Sequence, residues 1–487
     1  MTRNLDSLSP ATFTAAAVVG LLVLHVVRKF FKARCPLQAI PSVGVPSYPF
    51  GFYVGAWNYM KHGRAITEEG YLKYPGRAFK VALANRWLVL LNGRTLIEDI
   101  RTAPAEYLSG SAAVNSVLHL EHTMGHEQFH DPYQIPVIKA PMTRNIGVCF
   151  PDIRNEVVAA FEDLVPAKTD EWISVPAMQT AFPLLSRVTN RFFIGLPCRD
   201  PDYIKITTEF TLNVTRDAIW LHTIPSILRP IAARLFGHLE PATRGAMKVL
   251  GPILEHRLEM DDKYGPEWPN GDRPNDMISW LLDEARGHPK RRTVRQLTRQ
   301  VLNVNFGALH TTTQAIIFDL SRGGWTKAAM GKMVKLDSFF KESSRIMPLV
   351  VAGVVRQVLK DFTFSDGSTV PAGTLVGIPV LAEHHDEANY PGGCEFDPFR
   401  FSRMREQAGQ GTKHQMVSLS ADFLSFGIGR HACPGRFFAA DVQKLLLAHV
   451  IFTYDLKFKD GLRPVDEWMA LMSSPNKTAE IMFRRRT

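Results

Sequence analysis

The chain has 487 residues, 45% of them hydrophobic and 21% charged, with 57 Lys and Arg against 47 Asp and Glu for a formal charge of +10. Such apolar content excludes a disordered polar chain, and a single apolar run of membrane length excludes a multi-span protein. The excess of base is too diffuse for a nucleic-acid-binding stripe, and five scattered cysteines (Cys35, Cys149, Cys198, Cys394, Cys433) argue against a disulfide framework and for a reducing compartment.

The first element is the apolar run Leu8–Val27, followed by Arg28, Lys29, Lys32 and Arg34. About 20 apolar residues cross the hydrocarbon core, and the cations behind the run place the rest of the chain on the cytoplasmic side. A cleaved signal peptide needs a basic start and small residues at its cleavage site, whereas this run ends directly in charge. Residues 1–34 thus read as one N-terminal membrane-anchor helix with a basic flank. Residues 35–55 read as a proline-rich hinge, since Pro41, Pro46 and Pro49 oppose helix and stiffen the chain. Residues 56–487 contain no repeat or second linker and form one domain.

Apolar periodicity predicts helices over Asp152–Asp163, Asn275–Glu284, Arg295–Phe318 and Lys335–Ile346. Strands are expected in Ala78–Leu91 and in Val354–Val380, the latter broken by the turn Ser365-Asp366-Gly367. The fold class is therefore mainly α with a small β region, in a domain large enough to enclose a sizeable buried object.

Near the C-terminus, Phe423–Phe438 reads FLSFGIGRHACPGRFF, in which Phe426, Gly429, Cys433 and Gly435 satisfy F-x-x-G-x-x-x-C-x-G. A chain of this composition yields about 0.0015 such matches by chance. Cys433 precedes a predicted helix, Arg436–His449, whose first amides favour the thiolate. Gly429 and Gly435 allow a tight turn and close approach to a flat cofactor, and Phe426 shields the sulfur. A thiolate on heme iron favours O–O cleavage. The bland alternative is a buried structural cysteine. Zinc is disfavoured because no second Cys or suitable His pair has ligand spacing, His384 and His385 being adjacent.

These residues resemble the cytochrome P-450 family of heme-thiolate monooxygenases, and the resemblance covers nearly the whole chain. Segments such as EHTMGHEQFHDPYQIPV and HHDEANYPGGCEFDPFRFSRMRE are similar to fungal members of the ent-kaurene-oxidase and indole-diterpene type. The resemblance implies the cytochrome P-450 fold and heme b, with Cys433 as the axial iron ligand. Glu342 and Arg345, an E-x-x-R on one helical face, are implied to join Arg400 in a structural triad, although such a pair alone reads equally as a surface ion pair. FGALHTTT (Phe306–Thr313) is the implied oxygen-activation segment. Thr311 stands at the hydroxyl position that organises proton delivery, and His310 replaces the acid that relatives often carry. Without the cysteine motif, threonines bonding back to carbonyls in a core helix is the plainer reading. Arg356 and His431 are implied to hold the heme propionates, each otherwise a solvated base. The W-x-x-x-R element of many relatives is absent, with Arg144 and Tyr133 as loose substitutes. LVVAGVV (Leu349–Val355) and LMSSP (Leu471–Pro475) are implied to line an apolar substrate cavity, or else to be ordinary strand core.

The expected activity is monooxygenation of a hydrophobic small molecule, a terpenoid of fungal secondary metabolism. Electrons are expected from NADPH through an NADPH–cytochrome P-450 reductase docking near Arg403, Arg405, Lys413 and Arg436. The expected location is the endoplasmic reticulum membrane, single-pass, with the catalytic domain cytoplasmic. Rival readings are a heme-thiolate isomerase or dehydratase that does not use O2, and a non-catalytic heme protein. The last arises from a departure: relatives carry a helix of about twenty residues between the oxygen-activation and E-x-x-R helices. Here only Ser321–Gly324 separate them. A tolerated deletion, a splicing or gene-model error and a defective relative all account for it, and weaker heme retention or reductase coupling is expected.

Overall fold

The computed structural model describes residues 37–48, 50–312, 333–459 and 461–487, with Gly20 and Gly331 as single positions. The expected anchor, apart from Gly20, and the shortened connection at Ser321–Gly324 lie outside the described residues. Among the described residues, no helix is long and apolar enough to cross a membrane.

Residues 37–48, inside the expected hinge, dock on a sheet. Leu37, Ile40 and Val43 are buried, the Val43 amide donates to the Lys80 carbonyl at 3.0 Å, and the Lys80 amide donates to Pro41 at 2.8 Å. Helix α1 (Gly51–Lys73) follows, then the hairpin β1 (Ala78–Leu83) and β2 (Arg86–Leu91), which turns at Ala84-Asn85 within the expected Ala78–Leu91 run. Short β3 (Leu108–Ser109) leads into α2 (Gly110–Leu118), α3 (Leu120–Thr123) and α4 (His126–His130). After a short helix at Gln134–Val137 and one π turn at Ile138–Met142, α5 spans Thr143–Leu164 and so begins nine residues before the expected Asp152. It runs through Pro151 because burial of Ile146 and Phe150 offsets the lost hydrogen bond.

Strand β4 (Ile173–Pro176) precedes α6 (Ala177–Ile194) and α7 (Pro201–Leu221). Next come α8 (Arg229–Phe236), α9 (Leu239–Tyr264), α10 (Met277–Glu284) and α11 (Val294–Thr312). The last two answer the expected Asn275–Glu284 and Arg295–Phe318, the end of the latter lying outside the described residues. Leu297, Val301, Leu302 and Leu309 of α11 are fully buried against α6, α7 and α9. A reciprocal amide pair crosses this packing: Asn190 Nδ2 donates to Asn305 Oδ1 at 2.7 Å, and Asn305 Nδ2 to Asn190 Oδ1 at 3.0 Å. The pair satisfies two amides that would otherwise be costly to bury, and it fixes the register of α11 on α6.

The chain then forms α12 (Val334–Ile346), β5 (Gly353–Val358), β6 (Leu375–Ile378), α13 (Arg400–Glu406), α14 (Arg436–Thr453), β7 (Tyr454–Phe458) and β8 (Glu480–Arg485). The main sheet has the order β1-β2-β6-β5-β3, in which only β2 and β6 are parallel, Leu88 facing Leu375. The expected turn at Ser365-Asp366-Gly367 is present: Gly367 has φ +83°, and Asp366 accepts from the amides of Ser368 (2.9 Å) and Ala78 (2.8 Å). A second sheet orders β4-β8-β7. The fold is thus mainly helical with small sheet regions, as expected.

Candidate active site

The cysteine loop is shaped by two backbone requirements. Gly429 has φ +67°, and a Cβ there would lie 2.9 Å from the Arg101 carbonyl, so the tight turn demands glycine. Gly435 has an ordinary φ of −88°, and a Cβ there would meet only Ile138, at 3.9 Å. Its missing side chain instead leaves flat the wall of a cavity that Cys433, Phe426 and Gly435 all line. Inside the loop, the Cys433 amide donates to the Phe426 carbonyl at 2.8 Å, and Arg436 Nη1 donates to the Cys433 carbonyl at 2.9 Å.

The sulfur departs from one expectation. Burial raises the Cys433 thiol pKa above its ordinary value, outweighing the amides of Gly435 and Arg436 and the Arg436 charge, which lower it. The helix N-terminus works in the expected direction, yet alone it does not secure a thiolate in so dry a site.

The cavity holds about 380 Å³. One wall comes from the cysteine loop and α14, the opposite one from α11 at Gly307 and Ala308 and from the 114–142 segment. Most of the lining is apolar, with Ser343, Ser344, Ser425 and Gln443 as scattered polar groups and a connected amide cluster at Gln128, Gln134 and Asn303. Gln128 Oε1 accepts from Gln134 Nε2 (2.8 Å) and Asn303 Nδ2 (3.0 Å), while Gln134 Oε1 and Asn303 Oδ1 are buried without a partner among the described residues.

Arg356 and His431, far apart in sequence, meet at the first residue of α2. A Cβ on Gly110 would lie 3.2 Å from His431 Nδ1 and 3.5 Å from Arg356 Nη1. Strand β5 aims Arg356 through an irregularity: its pairing with β6 shifts register between Gly353 and Arg356, and Val354 adopts φ +54°, costly for a β-branched residue. Arg356 is 5% exposed and donates from Nη1 to the Val355 carbonyl at 3.0 Å, while its Nε has no partner among the described residues. Burial lowers its pKa to about 10. His431 is pushed down to about 4 by burial, then by the charges of Arg356, Arg430 and Lys139. A buried guanidinium without a carboxylate partner among the described residues fits the propionates of a heme, and a largely apolar cavity with a thiol and a glycine in its wall fits the ring.

Behind the loop, the E-x-x-R pair is fully buried, so the surface-pair alternative is wrong. Glu342 accepts Arg345 Nε (2.8 Å), Arg345 Nη2 (2.7 Å) and Arg400 Nε (3.1 Å), completing the expected triad. Arg345 also donates to the carbonyls of Gly393 (2.6 Å) and Glu395 (3.1 Å). His384, which in the sequence offers nothing beyond an unsuitable zinc spacing, is the link between triad and loop: its Nε2 accepts from the Leu424 amide at 2.9 Å, and its Nδ1 lies 3.2 Å from the Arg345 carbonyl. Nothing in the sequence marked His384 or Gly110 for these roles, because their partners are distant along the chain.

Other expected residues are placed unequally. His310 and Thr311 have backbones in α11, but their side chains lie outside the described part of the chain. Leu349 lines the cavity, and LVVAGVV meets LMSSP directly, through the Val350–Met472 bridge and the Ser473 amide donating to the Leu349 carbonyl at 3.0 Å. Arg144 is exposed, and Tyr133 packs under the Arg291 guanidinium, 4.9 Å from its ring centre, so neither lines the cavity. Arg403 pairs with Asp397 and Arg405 with Asp337, while Lys413 is exposed.

Comparison with known proteins agrees with this geometry. The family profile described as Cytochrome P-450 matches residues 320–483. The chain is 37% identical to cytochrome P-450 monooxygenase 103 of Postia placenta, over 97% of this chain and 98% of that protein. It is 33% identical to cytochrome P-450 monooxygenase CYP512U6 of Ganoderma lucidum, over 95% and 94%. The structure of retinoic acid bound cyanobacterial CYP120A1 superposes with a TM-score of 0.68 at 19% identity, covering 92% of this chain and 99% of that one, a likeness of fold.

Proposed function

We propose, from the premise that this chain belongs to the cytochrome P-450 family and is a monooxygenase binding heme b through a thiolate, that Cys433 is the ligand and that a terpenoid of fungal secondary metabolism is the substrate. The observation that carries the site assignment is one cavity with Cys433 and Gly435 in its wall, backed by the buried Arg356, which has no carboxylate partner among the described residues and meets His431 at Gly110. Bound heme supplies the redox chemistry, by which two electrons and O2 give one oxygen atom to substrate and one to water.

The chain's residues hold and protect that chemistry. The Gly429 turn presents Cys433, Phe426 covers the sulfur, and Arg356 and His431 bind the propionates. On the other side, Gly307 and Ala308 keep α11 narrow where substrate must lie, and Thr311 with His310 delivers protons. The apolar walls exclude water and suit a hydrocarbon skeleton. The unpaired oxygens of Gln134 and Asn303 favour a substrate carrying a hydroxyl or N–H donor.

Electrons arrive from NADPH through a membrane-bound reductase at the face bearing Arg403, Arg405, Lys413 and Arg436. Arg403 and Arg405 are already paired with carboxylates, which leaves Lys413 and Arg436, of which Lys413 is the more exposed. Residues 1–34 anchor the domain (56–487) through the 35–55 segment to the cytoplasmic side of the endoplasmic reticulum membrane. Supporting that placement, Ile227, Ile231, Leu235 and Phe236 on and before α8 are 60–82% exposed and would rest on lipid.

The full chain, co-expressed with a fungal reductase, should give a reduced-CO band at about 450 nm and oxidise members of a terpene-scaffold panel read by mass spectrometry. Cys433→Ala should abolish that band. Its retention would remove Cys433 as the ligand, and turnover only of non-terpenoid substrates would remove the substrate class.

A further inference from the structure

The segment that covers the cavity is two-faced. Leu120, Met124 and Gln128 line the cavity, while Glu121, His126 and His130 of the same segment turn outward. The three outward side chains converge. His130 Nε2 lies 2.9 Å from Glu121 Oε1, the His126 and His130 rings stack with centroids 4.0 Å apart, and one ligand atom from each residue falls within 4.8 Å of the others.

We propose that Glu121, His126 and His130 bind a divalent transition-metal ion of the zinc class, and that its binding stiffens the lid over the cavity. Against the expectation that no histidine pair has ligand spacing, His126 and His130 stand four apart on one helix and present their nitrogens to the same side, the spacing that zinc sites use on helices. Ligand atoms in a tetrahedral zinc site sit about 3.4 Å apart, given Zn–N distances near 2.1 Å. The ligand atoms lie within 4.8 Å of one another, and the His126 and His130 imidazoles are exposed and so free to turn towards a shared ion. Two imidazoles and one carboxylate select zinc, copper or nickel over magnesium or calcium, whose sites are built from oxygen, and water completes the coordination.

The lid consequence comes from where the ligands sit. Glu121 belongs to α3 and both histidines to α4, and the two short helices are joined at Gly125, φ +109°. At present α4 is tied to the body by Glu127 with Arg299 (3.8 Å), by Asp131 with Arg291 and, on its inner face, by Gln128 accepting from Gln134 and Asn303. A metal bridging α3 to α4 removes the hinge freedom at Gly125 and holds Gln128 and Met124 in place on the inner face. This part rests on the cavity being the substrate site, whereas the metal site does not.

The test uses the heme-loaded full chain without a histidine tag. Zn2+ added alone should bind at one ion per chain, measured by equilibrium dialysis, with Mg2+ failing to compete. His126→Ala and His130→Ala should each weaken binding at least tenfold, with an unaltered reduced-CO band showing that the fold is intact. Equal binding by the double variant overturns the metal site. The lid is read separately, by the rate at which a hydrophobic N-aryl imidazole shifts the heme Soret band. Zn2+ should slow that rate several-fold in the unaltered chain and leave the double variant unaffected. Zinc binding without slowing overturns the lid and leaves the site standing, and an azole that never shifts the band overturns the cavity reading instead.

Discussion

Arg356 keeps its charge on a guanidinium that is 5% exposed, with Nε unpaired and no carboxylate beside it among the described residues. An uncompensated buried cation costs several kcal/mol, and a propionate would offset that cost. Arg356→Met should therefore leave the heme-free chain at least as stable to heat, while heme transfer to an apomyoglobin acceptor becomes roughly tenfold faster. Unchanged heme loss would show that Arg356 does not hold a propionate. The sequence pointed to Arg356 only by its position relative to LVVAGVV. What makes it a buried, aimed base is the bulge at Val354 and the contact with Gly110, both products of long-range packing. The turn that carries Cys433, by contrast, was legible in the sequence, since its hydrogen bonds join residues close together in the chain.

At the scale of elements, α12 carries the triad that couples the helical body to the cysteine loop. Glu342 is the acid joining Arg345 to Arg400 in that triad, and its carboxylate also accepts the Asp397 amide at 3.1 Å. Glu342→Gln leaves the buried Arg345 guanidinium and the partly exposed Arg400 facing a neutral amide, a loss of about 3–5 kcal/mol. The variant should express with a markedly lower melting temperature and little bound heme, read by thermal melts and the reduced-CO spectrum. Wild-type heme content would mean that the triad does not support the loop. Element boundaries followed the sequence where periodicity was uninterrupted, as in α12 and α10. They departed at α5, because the helix-ending tendency of Pro151 is a local preference that burial of Ile146 and Phe150 overrides.

Across the whole molecule, three buried histidines make the fold acid-sensitive. Burial is the leading cause in each, holding His119 and His384 at about 3 and His449 at about 4, against 6.5 in an open chain. These imidazoles stay neutral in the fold but gain protons on unfolding, so stability falls as pH drops from 6.5 towards 4. Together they contribute a slope of about 4 kcal/mol per pH unit near pH 5. His449→Leu should reduce the dependence by about 1 kcal/mol per pH unit averaged between pH 7 and 5, measured from urea midpoints. Parallel profiles for the variant and the unaltered chain would contradict the assignment for His449.

The sequence alone determined the fold class, the cysteine loop and the reaction family, because these rest on contiguous patterns: helical periodicity and one motif whose residues act on each other locally. Only the tertiary structure decided what surrounds that motif. It joined Arg356 and His431 at Gly110, buried the Glu342–Arg345–Arg400 triad, inserted His384 between triad and loop, and set Glu121 beside His126 and His130. Each of these depends on side chains from separate elements arriving at one place, and for Arg356 and the Glu342–Arg345 pair on water being excluded there as well. Neither burial nor convergence is written in any local stretch of residues, so a base, an acid or a histidine read along the chain shows its chemistry but not its partner.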